Sequence, residues 1–329
     1  MNKPENVKLE VYKFKLNPRK TYKGTVSFRD LFIKQTGSAN GVSNVDLFKD
    51  YFNFFITTLD TEYKIVKNKA FTLIGGNTDT GFSATSQIVY GVLEGGPLGE
   101  GKTRRTAADK TDTNALDGNV INDQYFFYLY TPLNSANGYL MFQTYHQDNI
   151  RHEFFSTILN EVFSIKNEYN MPNYEPVMPQ NIKEEFKSGA KIQELKFSEN
   201  MLSTQIASSV GFQSINESYK IEVKITPVRG NVGLSLKDIL IPGFVTKAFN
   251  NVKLGDFSSK KVVLQKGTNK SNKRVTFEMD GTGDIMPRIY LKDRISINSA
   301  GIPNFQELKA YCDTVLATLI DEHPTVTEI

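Results

Sequence analysis

The strongest pattern in the chain is a pair of apolar segments separated by a short polar one. Tyr125 to Leu133 and Tyr139 to His146 are rich in aromatic and aliphatic residues, which favour strands. The five residues from Asn134 to Gly138 are typical of a β-hairpin connection. A helix from Asp148 to about Ile165 is predicted next, because apolar residues recur there every three or four positions. Its wide apolar stripe predicts a core helix packed on the sheet.

The residues before this hairpin predict further strands and a helix. Polar and apolar residues alternate from Lys8 to Leu16, as in a strand with one buried face. Val45 to Leu59 has the spacing of an amphipathic helix, with Asn44 as its predicted N-cap. Ala70 to Ile74 and Gln87 to Leu93 are predicted to be short strands joined by a turn region.

Pro172, Pro176 and Pro179 fall within eight residues, a spacing that no helix or central strand continues through. We therefore predict a linker over residues 170–179, with one domain at 1–169 and another at 180–329. The second domain is predicted to contain strands at Ala190–Phe197 and Tyr219–Ile225, a hairpin of Lys260–Gln265 with Lys273–Met279, a partly helical Leu234–Asn250 and a last helix. The expected fold is α+β, two domains with mixed or antiparallel sheets and packed helices.

The last predicted helix begins after Asn304, with Glu307 at the capping-box position. Its apolar residues alternate steps of three and four along the helix. This spacing occurs in dimer seams as well as on core faces. We expect a core face.

Composition places the chain among ordinary globular proteins, with 39% hydrophobic and 23% charged residues. No stretch approaches the roughly 18 uninterrupted apolar residues of a membrane span, and no secretion signal is recognisable. The single cysteine, Cys312, excludes an internal disulfide and a cysteine-based zinc site, which fits a reducing compartment. We therefore expect a cytoplasmic protein that does not contact a membrane.

Positive charge is concentrated in two parts of the chain, although the net charge is only +3. Residues Met1 to Lys34 contain nine basic residues and three acidic ones. Val245 to Val275 contains eight basic residues and one acidic one. Such segregation can indicate a face that binds polyanions. Solvated lysines on an ordinary surface are the alternative.

Gly96 to Thr103 matches the P-loop pattern, in which glycine amides and a lysine hold nucleotide phosphates. That mechanism also requires a helix with an apolar face directly after the loop. Arg104 to Thr113 offers no such face. We therefore predict a glycine-rich hairpin or loop, within a long unpatterned and mobile segment from Gly95 to Asp123.

No other constellation in the sequence supports catalysis. His146, His152 and His323 do not have the spacing of metal ligands. The aspartates around Gly281–Gly283 fit a turn as well as a metal site. Serine-nucleophile motifs are missing from the sequence. We expect a non-catalytic protein that needs no metal or cofactor.

The better candidate is the predicted basic hairpin, whose turn is rich in Gly, Thr, Asn and Ser. Lysine and arginine beside such donors hold phosphate oxygens without reading bases. Aromatic residues are few in this hairpin, which favours duplex backbone contact over stacking on single strands. Protection of a strand edge by lysine is the alternative. The predicted DNA-binding residues are Lys260, Lys261, Lys266, Lys270, Lys273 and Arg274 in the hairpin, with Lys102, Arg104 and Arg105 in the long segment.

Several segments, taken in order, match a known arrangement. They are the hairpin Tyr125–Phe142 with its trailing helix, the glycine-punctuated segment Ile88–Gly101, a lysine-containing strand with proline at Val223–Pro227, the segment Gly283-Asp284-Ile285, and a final helix with Tyr311-Cys312. Together these segments resemble the RexA-like phage-exclusion proteins and related abortive-infection families. The likeness covers most of the chain.

This resemblance implies sequence-independent binding of double-stranded DNA by a homodimer, in antiphage defence, with distant kinship to RdgC-type DNA-binding proteins. It implies no catalytic residues. One alternative is a protein-interaction module that senses or blocks a phage or host protein. The other is a P-loop nucleotide hydrolase that uses Lys102.

Overall fold

We describe the protein from a computed structural model. The structure describes residues 7–60, 62–74, 79–104, 114–145, 150–187, 191–202, 218–226, 259–266, 273–279, 289–292 and 294–323. The predicted helical segment Leu234–Asn250 and the residues Asp148 and Lys270 lie outside these ranges. The fold is α+β, as predicted.

The chain divides into two compact units. One consists of Met1–Val177 together with Ile289–Ile329, and the other is Met178–Arg288. This division corrects the predicted second domain of 180–329, because the last part of the chain returns to the first unit. The two-residue strand Ile289–Tyr290 joins this last part of the chain to the first unit, because Ile289 pairs with Leu9 in the first strand.

The first unit is built on a nine-stranded sheet in which every pairing is antiparallel. Its strands are β1 (Lys8–Pro18), β2 (Lys64–Val66), β3 (Lys69–Leu73), β4 (Gly81–Ser83), β5 (Ile88–Pro97), β8 (Asp123–Tyr130), β9 (Asn137–Thr144), β10 (Tyr169–Pro176) and β15 (Ile289–Tyr290). Along the main path the strand order is β10-β1-β9-β8-β5-β3-β2, with β15 paired to β1 and β4 paired to β5. A separate small hairpin pairs β6 (Thr103–Arg104) with β7 (Asn114–Ala115).

Five helices are described. They are α1 (Phe28–Thr36), α2 (Asn44–Asp60), α3 (Arg151–Thr157), α4 (Gln180–Lys187) and α5 (Phe305–Glu322). A π-helical segment, Ile158–Val162, continues α3. The predicted cap of α2 is wrong by one residue: the Ser43 hydroxyl accepts from the Asp46 amide, and Asn44 is the first helical residue. At α5 the predicted N-cap is confirmed, because the Asn304 side chain accepts from the amides of Gln306 and Glu307. The predicted capping box is wrong, because the Glu307 carboxylate accepts from the Ser296 amide over 2.6 Å, while the Asn304 amide donates to the Ser296 carbonyl oxygen.

Helices cover both faces of this sheet. On one face, the ring of Phe127 in β8 packs 5.5 Å from Phe55 of α2 and 5.3 Å from Phe154 of α3. On the other face, the neighbouring Phe126 stacks on Phe305 of α5, with ring centroids 6.1 Å apart. Successive strand residues point to opposite faces, so consecutive aromatic residues in β8 can both be buried.

The predicted linker is instead the strand β10, an edge strand paired to β1. Proline lacks an amide donor and is tolerated at an edge, where one side of the ladder is unpaired. Pro172 falls at the register shift between the Lys15–Asn173 and Asn17–Asn170 pairs, where the ladder is already interrupted. Pro172 and Pro176 therefore lie in an edge strand, and residues 170–176 belong to the first unit, whereas Pro179 follows the strand and belongs to the second unit.

The second unit contains α4 and a four-stranded antiparallel sheet. Its strands are β11 (Lys191–Leu202), β12 (Ser218–Ile225), β13 (Ser259–Lys266) and β14 (Lys273–Met279), in the order β12-β11-β13-β14. The predicted hairpin of β13 with β14 is confirmed. Among the described residues, no helix is long and apolar enough to cross a membrane.

The aromatic cluster around Phe154 yields a stability prediction. The Phe154 side chain has no solvent exposure, and its ring centroid lies within 6 Å of those of Phe71, Phe127 and Phe142. We expect Phe154→Ala to lower the free energy of unfolding of the first unit by about 3–5 kcal/mol, because it removes a large buried ring and leaves a cavity. Urea unfolding followed by circular dichroism measures this loss.

The control for this substitution is Ile65→Ala, since Ile65 is 65% exposed. Exposed apolar side chains contribute little, so we expect a change within about 0.5 kcal/mol. A Phe154→Ala variant as stable as Ile65→Ala would contradict the packing described here.

Candidate nucleic-acid interface

The strand register of the second unit separates an apolar face from a polar one. Positions that share a face with the buried Leu195 are mostly apolar: Phe197, Met201, Tyr219, Ile221, Val223, Ile225, Val262, Leu264, Val275, Phe277 and Met279, with Glu199, Lys260, Lys266 and Lys273 as the charged exceptions. Positions on the opposite face are mostly polar: Glu194, Lys196, Ser198, Asn200, Lys220, Glu222, Lys224, Lys261, Gln265, Arg274, Thr276 and Glu278, with Val263 as an apolar exception. A sheet with this alternation packs one face and leaves the other to solvent or a ligand.

Three lysine positions lie side by side across the polar face. Lys196 in β11 is directly opposite Lys224 in β12, and also directly opposite Lys261 in β13. Neighbouring strands are about 4.8 Å apart, so the three positions span roughly 10 Å. We call Lys224, Lys196 and Lys261 the lysine row. Like charges directly opposite each other destabilise a sheet, so a nearby anion would stabilise the row.

Glu194 supplies an internal anion for part of this row. Its carboxylate lies 3.0 Å from the Lys196 Nζ and 2.7 Å from the Lys224 Nζ. Burial disfavours the charged form of Glu194 and would by itself raise its pKa. The two ammonium groups outweigh burial and lower the pKa of Glu194 below its usual value. One carboxylate thus serves two lysines, and at neutral pH this triplet keeps a net positive charge.

The structure divides the predicted basic hairpin between the two faces. Lys261 and Arg274 are at register positions of the polar face. Lys260, Lys266 and Lys273 are at positions of the apolar face. The predicted set therefore does not form a single surface, because a strand alternates its faces at every residue. Lys270 lies outside the described residues.

The basic residues of the long segment lie in the first unit. Lys102 is exposed in the turn that precedes β6, and Arg104 is the second residue of β6. Arg105 lies outside the described residues. The segment is also more structured than predicted, because β5 continues to Pro97 and Leu98 forms a bridge with Val120.

The geometry of the P-loop pattern differs from that of a phosphate site. Thr103 begins a strand, whereas a P-loop requires the start of a helix at this point. The amides of Gly99 and Lys102 donate to the carbonyl oxygens of Asn119 and Gly99, each over 2.9 Å. The Gly101 amide donates to the Asp117 carboxylate, also over 2.9 Å. These donors are engaged within the protein, which removes the basis for a nucleotide site here.

Close approach of the chain explains two glycines of this pattern. A Cβ atom at Gly96 would lie 2.0 Å from the carbonyl oxygen of Ile121, and one at Gly99 would lie 2.4 Å from that of Leu116. The returning strand of the hairpin leaves no room for a side chain at either position. The predicted glycine-rich hairpin is confirmed for the described part of this segment.

Two cations of the amino-terminal basic cluster have structural partners. Arg29 donates to the carbonyl oxygen of Val42 over 2.7 Å and thereby holds the connection between α1 and α2. Lys34 is paired with Glu168 and lies 4.6 Å from the centroid of the Tyr22 ring. These contacts lie within the first unit, which accounts for two of the nine basic residues without a ligand.

The remaining candidate residues form no catalytic arrangement in the described part of the chain. Cys312 is buried on the core face of α5, and burial raises its pKa well above the usual value, which keeps the thiol protonated. His146 lies outside the described residues, as do Asp280 and Asp284. No group of metal-ligating side chains occurs among the residues that the structure describes.

Lys196 and Lys224 were missed as interface residues by the sequence analysis. Their signal was the alternation Lys220, Glu222, Lys224, which marks a charged outer face of a strand. That signal places Lys224 on a face, but only the strand pairing brings it beside Lys196 and Lys261.

Comparison of the chain with models of known protein families finds no match, and comparison with curated proteins finds none either.

The shared carboxylate gives a prediction for Glu194. We expect Lys224→Met to raise the pKa of Glu194, because it removes the ammonium group nearer to the carboxylate. In the wild-type protein the ion pairs stabilise the sheet above the ordinary carboxyl pKa and are lost only as pH falls through the lowered pKa. Carboxyl-carbon NMR during a pH titration measures both proteins.

Lys220→Met is the matched control, since Lys220 is on the same strand and the same face but four residues away. We expect it to leave the pKa of Glu194 nearly unchanged. Equal pKa values of Glu194 in the wild type and in Lys224→Met would show that the ion pair does not form.

Proposed function

We propose that the protein binds double-stranded DNA without sequence specificity, through the polar face of its second sheet. The observation that carries this proposal is the lysine row, in which three cationic positions are adjacent on three neighbouring strands. Closely spaced cations on a sheet surface contact phosphates. Such contacts carry no sequence information, because they do not involve the base edges. Counterion release then supplies most of the affinity.

The other groups of the polar face suit contacts with a phosphate backbone. Arg274 and Gln265 are directly opposite each other on β14 and β13, and Ser198 and Ser259 are opposite on β11 and β13. Guanidinium, amide and hydroxyl groups all donate hydrogen bonds to phosphate oxygens. Three acidic positions on the same face, Glu194, Glu222 and Glu278, limit the affinity and favour reversible binding.

The resemblance to RexA-like phage-exclusion proteins supports a role in antiphage defence. We propose, on the same basis, that the protein acts as a homodimer in the cytoplasm. A dimer presents two lysine rows, so neutralised phosphates and salt dependence would both increase. Sedimentation velocity at the concentrations used for DNA binding measures the oligomeric state.

The central test neutralises the lysine row. Lys196→Gln, Lys224→Gln and Lys261→Gln are combined, and binding to a random-sequence duplex is followed by fluorescence anisotropy from about 50 to 300 mM salt. We expect roughly micromolar affinity for the wild type and a loss of about tenfold or more for the triple variant. The slope of log K against log salt should fall by about 0.9 for each phosphate contact that is lost.

The matched control combines Lys260→Gln, Lys266→Gln and Lys273→Gln. These changes remove the same number of positive charges as the first triple variant, but from positions of the apolar face on β13 and β14. We expect a smaller loss of affinity than in the first triple variant. Equal losses would mean that overall charge, and not the polar face, governs binding. Absence of binding by the wild type at low salt would exclude the proposal and favour the protein-interaction alternative.

Removal of the Glu194 carboxylate is expected to change DNA affinity in the opposite direction to removal of the lysine row. We expect Glu194→Gln to raise DNA affinity by roughly two- to tenfold, because it frees two ammonium groups from an ion pair of ordinary surface strength. The salt slope should steepen by about one to two. Glu222→Gln, which removes the same charge from an exposed position of the same face, is expected to change the slope less. If the two substitutions changed the affinity and the salt slope equally, this would contradict the idea that Glu194 competes with DNA phosphates for Lys196 and Lys224.

A further inference from the structure

A second site lies in the first unit, beside α5. This helix leaves an open cleft of about 560 Å³ along one flank. Lys309, Asp313 and Ile320 of α5 form one wall, the turn Ser83–Gln87 forms the other, and Tyr128 and Tyr130 of β8 form the floor. We call this the α5 cleft. Its volume lies within the range of about 300–1,000 Å³ for small-molecule sites.

The acceptor atoms at the centre of the α5 cleft are engaged within the protein. Asp313 Oδ1 accepts from the Tyr128 hydroxyl over 2.7 Å, and Oδ2 accepts from the Lys309 Nζ over 2.8 Å. Burial and then the Asp313 carboxylate raise the pKa of Tyr128, so its phenol keeps its proton and continues to donate. Each oxygen of the Asp313 carboxylate thus already has one protein donor, and its charge is paired with that of Lys309.

Donor capacity remains available in the same cleft. An ammonium group has three N–H donors, and the hydrogen bond to Asp313 uses one of those on Lys309. The Lys309 side chain is 34% exposed, and its Nζ lies 5.5 Å from the centroid of the Tyr90 ring. The hydroxyls of Thr85 and Tyr130 also line the cleft, and neither has a hydrogen-bond partner among the described residues.

The turn that forms the opposite wall is held in place before any ligand binds. Gln87 has a φ of 57°, a left-handed conformation that costs a non-glycine residue energy. Two hydrogen bonds hold it there: its carbonyl oxygen accepts from the Thr131 amide over 3.0 Å, and its side-chain oxygen accepts from the Leu133 amide over 2.7 Å. Strain of this kind concentrates at ligand sites.

We propose that the α5 cleft binds a small organic anion, an oxyanion group carried on an apolar body. The free donors of Lys309, Thr85 and Tyr130 suit the oxygens of a carboxylate, phosphate or sulfonate. Half-buried Ile320, with the small exposed parts of Ile88 and Leu316, provides apolar surface for the rest of the ligand. The charge of Asp313 opposes an anion, so we expect binding to be moderate. This site is independent of the DNA-binding proposal.

The test uses anilinonaphthalene sulfonate as a probe of this class and N-phenyl-1-naphthylamine as its uncharged counterpart. Fluorescence titration of the whole 329-residue chain is expected to show one sulfonate probe bound per chain. Lys309→Met should lower the affinity for the sulfonate probe by about tenfold, because a charge-assisted hydrogen bond is lost. It should leave binding of the uncharged probe unchanged.

Lys64→Met is the matched control. Lys64 is 31% exposed and is paired with Glu161 over 3.0 Å, so its exposure and its ion pair are similar to those of Lys309, but it does not line the cleft. We expect wild-type binding of both probes. A second variant, Ala317→Trp, introduces a bulky ring at an exposed position of the cleft wall and should abolish binding of both probes while the helix remains folded.

Three results would overturn the proposal. They are no binding of the sulfonate probe to the folded wild type, equal affinity for the charged and uncharged probes, and unchanged sulfonate binding in Lys309→Met. Near-ultraviolet circular dichroism of each variant establishes that the comparison is between folded proteins.

Discussion

The first unit depends on a sheet that must be covered on both of its faces. In β8 and β9, consecutive residues are buried along most of each strand, so neither face can be left to water. Helices α2 and α3 cover the face that contains Phe127, but the face that contains Phe126 needs another element. Helix α5 provides it, with Leu308, Cys312 and Leu319 fully buried. Burial of apolar surface on the second face therefore stabilises the packing of α5 on the sheet of the first unit.

Local patterns in the sequence predicted much of this fold. The hairpin of β8 and β9, the wide apolar stripe of α3 and the cap of α5 all depend on residues close together in the chain. The predictions failed where the decisive contact was distant. The prolines of β10 are acceptable only because that strand is at the edge of the sheet beside β1. The domain boundary was misplaced for a related reason, since a two-residue strand such as β15 has no pattern of its own.

The same distinction applies to the two sites. Charge along the sequence indicated β13 and β14, but strand register decides which of their lysines share a face. The lysine row joins three strands, and its members lie next to each other only after β11 has paired on both sides. In the α5 cleft, Tyr128 and Asp313 are 185 residues apart in sequence, and neither has a local motif. Sequence analysis could identify the types of residue available, but long-range pairing determines which of them meet.

The discontinuity of the first unit has a consequence for synthesis. Residues 178–288 separate β10 from β15, although both strands pair with β1, at Tyr12 and at Leu9. At about 5–20 residues per second, translation of this stretch takes roughly 5–20 seconds, during which β1 and β8 have already left the ribosome. Over that interval Phe126 and its neighbours have no α5 to cover them. The nascent chain thus presents an aromatic sheet surface that is open to chaperones, or to mispairing, until the final helix emerges.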